Sequence, residues 1–521
     1  MTARQDGPDH LVVEQVRGVS VRCYAQRPHS VVEVLERAMP AYGDSVLLVD
    51  PELGRTETYD GFASLVAGAA ATLMARGLAP GDRVAVLLRN GLEAAVAIWA
   101  CARAGLVHVG LPHDAPPARL RELVELTGPA LLLAQDDLDA GGLGVQVLAA
   151  TDILLGERRA WQPGRPLPDQ DTTYSLIPTS GTTGRPKAVR VTGRMTGHAA
   201  AFYTRTLGLG PGDRTAIHLP FAWVSGHVTQ LTPAMLSGGS AVTMAEFSAP
   251  ALVGTAVEHG VTWLDVVPSI WELLLRTTRF RLPELAGLRL AVFGGAPAPP
   301  GTLDRVRARL PQLRLYDVYA LSETCAPVTC LPDGEMTRRP GTVGRPAPYC
   351  EVRVVSPDGT DVARDEPGEV WVRGPVVTPG YWGPADPATV TADGWLRTGD
   401  VARMDEEGYL LMGGRAVDLV IRGGVNVFPA EVERALLAAG TLADAAAFGV
   451  PSQLTGENVA AAVVPLPGRP VDVPALQAQV RERIGGHAVP RPVHVVDALP
   501  RGRNGKVDRA ALRAALACEP G

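Results

Sequence analysis

Apolar positions along this chain come in short runs separated by longer segments of helical period, and their order predicts the fold class. Residues 84–88, 107–111 and 130–134 read as strands, while the Ala-rich 92–104 and the stretch 120–126 carry the helical period between them. The alternation returns with strands expected at 174–177, 188–191, 215–219, 290–293 and 315–318 and helices at 198–207 and 302–310. Nearer the start, 31–40 reads as a helix and 46–49 with 56–59 as a strand pair turning at Gly54. Strands and helices in this order predict an α/β layered domain. Residues 135–171 mix Gly, Pro, Asp and Arg with little periodicity and read as a surface connection. Toward the end, helices at 430–437 and 474–484 with strands at 445–450, 459–464 and 493–496 form a compact α+β unit of about 100 residues, enough for a domain.

Between two of the predicted strands lies Thr179-Ser-Gly-Thr-Thr-Gly-Arg-Pro-Lys187. Thr179, Ser180, Thr182 and Thr183 offer hydroxyls, Gly181 and Gly184 let backbone N–H groups approach an anion, and Lys187 adds a mobile positive charge. A Walker A loop needs Gly directly before its Lys and a helix after it, whereas here Pro186 precedes Lys187 and Ala188 follows. The stretch therefore reads as a phosphate-binding loop joining two strands. A glycine loop alone is more often a plain turn; four hydroxyls and a lysine beside it favour the anion site.

Composition narrows the picture. At 521 residues and 46% hydrophobic, the chain has material for at least two cores. A net charge of −6 leaves no basic footprint for nucleic acid. Cys23, Cys101, Cys325, Cys330, Cys350 and Cys518 are scattered without a paired spacing, against a zinc site or a disulfide framework, so a reduced, cytoplasmic setting is expected. The opening residues lack an apolar signal core, and the longest mostly apolar stretch, 94–111, contains Arg103 and His108, so neither secretion nor a membrane span is expected.

The phosphate loop resembles the signature of the adenylate-forming superfamily of acyl- and aryl-CoA ligases, peptide-synthetase adenylation domains and luciferases. Further stretches carry the same resemblance in the same order: Pro220 to His227, Gly294 to Ala296, Asp317 to Thr324, Gly394 to Asp400, Gly414 to Glu433 and Leu499 to Arg509. The resemblance implies a large multi-subdomain N-terminal α/β domain over 1–414 and a small, mobile α+β domain over 415–521. It implies that Gly294, Gly295 and Ala296 form an adenine and acyl wall, that Asp317 accepts from the adenine amino group, and that Tyr319 stacks on the purine. Ser322 stands where Thr is usual, and Glu323 is expected to hold Mg²⁺ through hard oxygen. Asp400 is expected at the ribose hydroxyls, Arg415 at ribose and phosphate, and Lys506 at the reacting oxygens. Arg422, Gly423, Gly424 and Asn426 correspond to the acceptor loop, and Val417, with Asp418 next, stands at a hinge that normally carries Asp or Lys.

The resemblance implies ATP, Mg²⁺ and CoA, with a small carboxylic acid as partner and a monomeric or homodimeric chain. Two charged reactants must meet, so Lys187, Arg415 and Lys506 with the metal are expected to offset their repulsion. Val224 stands where amino-acid-activating relatives carry Asp, and Trp223 where aryl and acyl relatives carry His. Phe221, Trp223, Val224, Gly226, Gly295, Ala320, Ala326 and Val328 are mostly apolar candidates for the acyl pocket, predicting an aromatic or medium-length acyl acid. Residues 421–433 look like CoA ligases and Asn504 to Arg509 like peptide-synthetase domains. Val224, and a chain stopping at residue 521 without room for a fused carrier, favour CoA; a separate carrier protein or an amine is the alternative acceptor. A non-catalytic ATP-binding regulator is a third reading, against which Lys187, Glu323, Asp400, Arg415 and Lys506 all speak.

Overall fold

The computed structural model describes residues 10–516 except 165–167, 181–185, 282, 297, 299–300, 385–388, 416–417, 423–424, 453–455 and 502–506, and without the side chains of Ser180, Arg415, Ile421, Val425 and Asn426. Among these residues the strands form two larger sheets, two smaller ones and an N-terminal hairpin. One sheet runs in the order Pro186–Thr192, Thr173–Ser180, Val107–Gly110, Arg83–Leu87, Leu131–Ala134, Val147–Ala149. Its inner strands are parallel, as expected of strands returned by buried helices. Helix Leu92–Ala104 is buried along its whole length, which explains the long apolar stretch without a membrane: Ala-rich faces fit between layers. No described helix is long and apolar enough to cross a bilayer.

The second sheet runs Arg345–Pro346, Thr329–Pro332, Arg314–Tyr319, Leu290–Gly294, Trp263–Val266, Arg214–Ile217, Ser240–Thr243, Val46–Asp50, Arg55–Thr58. Its central strands are also parallel, so the segments leaving Ile217, Val266 and Gly294 share one edge with the end of Arg314–Tyr319. A crevice at the carboxyl ends of parallel strands is the usual ligand position of such sheets. A single apolar core joins Val84 and Val86 of the first sheet, helix residues such as Phe62 and Trp99, and Trp263, Leu290 and Val292 of the second. Leu264, Ala291, Phe293 and Leu315 alternate to the other face and pack into a separate core.

A four-stranded antiparallel sheet follows, Glu351–Val355, Gly368–Arg373, Leu396–Met404, Leu410–Arg415. The last sheet orders Val425–Val427, Val420–Arg422, Gly456–Pro465 and Leu442–Ser452, with Val493–Val495 also on Gly456–Pro465. Alternate residues of its long hairpin face opposite cores, Ala447, Val459 and Val463 toward helices Pro429–Leu437 and Val473–Arg483, Phe448 and Ala460 toward Leu499 and Leu512. A large N-terminal domain thus precedes a smaller C-terminal one.

The expected elements are present, with one correction. Residues 135–171 are not only a connection: Val147–Ala149 adds an edge strand to the first sheet, and Ala150–Leu154 is a short helix burying Ala150, Ile153 and Leu154. Both are too short to show a period, and register with Leu131–Ala134 decides them.

Candidate active site

Strands Thr173–Ser180 and Pro186–Thr192 pair antiparallel, Thr179 opposite Lys187, so the expected loop does join two strands. Gly181, Thr182, Thr183 and Gly184 lie outside the described residues, and the backbone of Ser180 ends the first strand. From the second strand the Lys187 ammonium sits 4.4 Å from the Tyr381 ring centroid. The Tyr381 hydroxyl donates to Glu323 Oε1 at 2.7 Å. A cation, an aromatic face and a carboxylate from three distant segments thereby meet at the loop's base.

Tyr381 arrives on a segment stitched to both sides. Thr378 N–H donates to the Glu323 carbonyl at 2.8 Å, Thr378 Oγ1 donates to the Arg190 carbonyl at 2.7 Å, and Trp382 N–H donates to the Ala188 carbonyl at 2.8 Å. Sequence reasoning missed Tyr381; its signal was an aromatic pair behind the Pro379-Gly380 turn.

At the carboxyl edge of the second sheet, Tyr319 ends strand Arg314–Tyr319, and its hydroxyl donates to Asp400 Oδ2 at 2.6 Å. Asp400 is buried in strand Leu396–Met404, its backbone opposite Arg415 of Leu410–Arg415; the Arg415 side chain is outside the description. Asp317 keeps some accessible surface, but the atoms around its carboxyl make burial costly and push it up to about 8. Such a carboxyl is satisfied by a donor such as an amino group.

Gly294 closes strand Leu290–Gly294, and a Cβ there would lie 2.3 Å from the Val318 carbonyl, so only glycine lets the strands close. Gly295 has φ +78° and open space where its side chain would stand, and Ala296 follows half-buried. Ala320, Ser322 and Glu323 lie on the turn after Tyr319, none fully buried. Cys325, in the left-handed region at φ 54°, turns the chain so that Ala326 and Val328 enter the core that also holds Phe221.

The Pro220 to His227 stretch is held from outside itself. Asn90 Oδ1 accepts from Phe221 N–H at 2.9 Å, while its amide donates to the Leu219 carbonyl at 3.0 Å. A Cβ on Gly110 would meet Ala222 Cα at 2.7 Å, and one on Gly226 would meet Phe221 Cα at 2.8 Å. Trp223 and Val224 are half-buried where the short helix Val224–Gly226 begins, which widens into the π-helix His227–Leu231. Burial lowers His227 to about 4, leaving a neutral ring. Asn90 and Gly110 were not foreseen, since each acts by tertiary approach.

In the C-terminal domain Val417, Gly423, Gly424 and Lys506 fall outside the described residues, as does the Asn426 side chain. Asp418 is ion-paired with Arg509 at 3.6 Å and Arg513 at 3.7 Å, and Arg509 also binds Glu433 at 2.5 Å. Arg422 donates to the His487 carbonyl at 2.9 Å.

Glu323 suits a hard cation: it carries a half-buried carboxylate with no ion pair among the described residues, one oxygen accepting from Tyr381. Among the described residues no cluster of three or more His, Cys, Asp or Glu forms a metal cage. Mg²⁺ commonly takes one or two carboxylates and completes its shell with phosphate oxygens and water.

The AMP-binding enzyme family matches residues 35–382, and the AMP-binding enzyme C-terminal domain matches 431–506. The sulfoacetate–CoA ligase of Cupriavidus necator is 33% identical, over 90% of this chain and 94% of its own. The indoleacetate–CoA ligase of Aromatoleum aromaticum is 32% identical, over 89% of this chain and 94% of its own. Among solved structures, the o-succinylbenzoate coenzyme A synthetase of Bacillus subtilis with ATP and magnesium superimposes with a TM-score of 0.81 at 29% identity, covering 94% of this chain and 99% of its own. Two matched family domains and relatives spanning nearly the whole length place the chain among the AMP-binding enzymes.

Proposed function

We propose that this chain is an ATP-dependent carboxylic acid–CoA ligase that forms an acyl-adenylate and transfers the acyl group to CoA. The observation that carries it is the junction of groups far apart in sequence: Tyr319 with Asp400, and Lys187 through Tyr381 with Glu323. ATP, the acid and CoA are substrates; Mg²⁺, held by Glu323, supplies charge neutralisation at the phosphates. Asp317 and Tyr319 receive the adenine, Asp400 the ribose, and the 179–187 hairpin with Lys187 the phosphates.

A carboxylate oxygen attacks the α-phosphorus in line, forming the P–O bond of the acyl-adenylate as pyrophosphate departs. Lys187, Arg415 and Lys506 offset the charge of the approaching anions. In the second step the CoA thiolate attacks the acyl carbonyl and AMP leaves, with the Arg422 to Asn426 loop on the acceptor side. We place the domain division at 414 and 415 and the hinge at Val417 and Asp418. A reducing, cytoplasmic setting goes with this reading, supported by the five described cysteines, all free thiols.

The relatives named above act on acids as unlike as sulfoacetate and indoleacetate, so the acid is set by the pocket of each chain. The test is acid-dependent ATP–pyrophosphate exchange across a panel of carboxylic acids, in the wild type and in Glu323→Gln. Exchange in the wild type that collapses in the variant is expected; no exchange with any acid would contradict the reading.

A further inference from the structure

The candidate acid pocket is not apolar throughout. Asp265 lies on the central strand Trp263–Val266, opposite Val292 and in the row that continues to Tyr316, on the face shared with the apolar core of Phe221, Ala326 and Val328. Two residues further along the same row pattern come Gly294 and Val318, so Asp265 sits about 7 Å deeper than the glycine wall. At that spacing it lies below the proposed reaction centre, on the side away from the carboxyl ends of the strands.

The hydrogen bonds around Asp265 leave one acceptor over. Thr229 Oγ1 lies 2.6 Å from Asp265 Oδ2 and 3.1 Å from the Ser225 carbonyl, but it has a single hydrogen. Both contacts are satisfied when a protonated Asp265 donates to Thr229 and Thr229 donates to Ser225. Burial favours that form, pushing the carboxyl up to about 7, and no described cation pairs with it. The other oxygen, Oδ1, has no partner among the described residues, although Asp265 retains 9% of its surface accessible inside a sheet. The phenol of the buried Tyr203 faces both Asp265 and Thr229.

We propose that Asp265, with Thr229 and Tyr203, forms a hydrogen-bonding floor to the acid pocket and selects an acid carrying a hydroxyl at the end remote from its carboxylate. This rests on the acid–CoA ligase reading and deepens it. A neutral carboxyl with one acceptor left open suits a neutral donor, and an acid with hydrocarbon there leaves Oδ1 desolvated and unpaired. Asp265 is a specificity residue and takes no part in the bond-making steps.

The experiment measures kcat and KM by pyrophosphate exchange for matched acids, para-hydroxyphenylpropanoate with phenylpropanoate and omega-hydroxyoctanoate with octanoate. The enzymes are the wild type, Asp265→Asn and Asp265→Leu, with thermal melts as a check on folding. The wild type is expected to prefer the hydroxylated member of each pair by about tenfold or more in kcat/KM, mainly through KM. Asp265→Asn keeps a preference, Asp265→Leu loses or inverts it, and the KM for ATP stays unchanged in all three. Indifference of the wild type to the hydroxyl, preference for the unsubstituted acid of each pair, or a folded Asp265→Leu with unchanged ranking would overturn the proposal, the last making Asp265 a structural tie for Thr229. Exchange with none of the acids would overturn it together with the ligase reading, whereas exchange with an indifferent ranking removes this inference alone.

Discussion

The nucleotide end of the candidate site and its acid end are built by different means. At the nucleotide end, side chains from distant segments bond directly to one another, Tyr319 to Asp400 and Tyr381 to Glu323, with Lys187 over the ring. At the acid end, backbone approaches backbone: Gly110 lies against Ala222, Gly226 against Phe221, and Asn90 binds the main chain of the segment between. Charge-assisted bonds fix where a polar ligand sits, while close backbone contact fixes a cavity's shape. The first kind of construction is shared by every substrate that uses ATP; the second can change from one acid to another.

This contrast predicts which Michaelis constant each substitution moves. Asp400→Ala removes a buried carboxylate and strands the Tyr319 hydroxyl, so kcat/KM for ATP should fall about 100-fold, the worth of one lost charge-assisted bond of about 2–3 kcal/mol. Pyrophosphate exchange at varied ATP measures it, and the KM for the acid should hardly move. Gly110→Ala pushes a methyl into the Ala222 backbone, and overpacking of that kind costs about 1–3 kcal/mol of stability. It should raise the acid KM and lower the melting temperature with ATP affinity nearly intact; an equal rise in both constants would erase the distinction between the two ends.

Asn90→Ala takes the acceptor from the Phe221 N–H, an expected loss of about 1–2 kcal/mol seen as a lower melting temperature and a several-fold higher acid KM. Tyr381→Phe removes only the hydroxyl to Glu323 and leaves the ring beneath Lys187, so a change of about 0.5–1.5 kcal/mol is expected, read as a modest rise in the Mg²⁺ concentration for half-maximal rate.

The remaining effect is one of pH. Asp265 has a folded pKa raised to about 7 by burial, against an ordinary value near 3.8. A raised carboxyl favours the folded state fully below its unfolded pKa and loses that contribution as pH climbs through the folded value. Wild type should therefore lose stability relative to Asp265→Asn between about pH 4 and pH 7, with the difference flat above; thermal melts of the two across that range measure it.

The same contrast explains what could be read from the chain. Alternating apolar runs revealed most of the strands, because buried parallel strands are nearly continuous in Val, Leu and Ala, and the hydroxyl-rich hairpin announced its chemistry by composition. Tyr319 and Asp400 were both legible, although only the structure joins them. The N-terminal hairpin Leu11–Val16 and Val19–Tyr24 was overlooked even though Arg17 and Gly18 both take positive φ, the mark of a tight primed turn. Asn90, Gly110 and Asp265 were invisible, because an asparagine after a strand, a glycine ending one and an acid inside one carry no periodic signal. Their meaning lies in what the fold sets opposite them: Phe221, Ala222 and Thr229.

The chain activates a carboxylic acid as its adenylate and hands it to CoA. Mass-spectrometric analysis of products formed from ATP, Mg²⁺ and a carboxylic-acid panel, with CoA, with a carrier protein and with neither, tests it most directly. Enzyme-bound acyl-AMP is expected without an acceptor, and accumulating acyl-CoA with CoA. Acyl-AMP that CoA cannot discharge, or no adenylate with any acid, would contradict it.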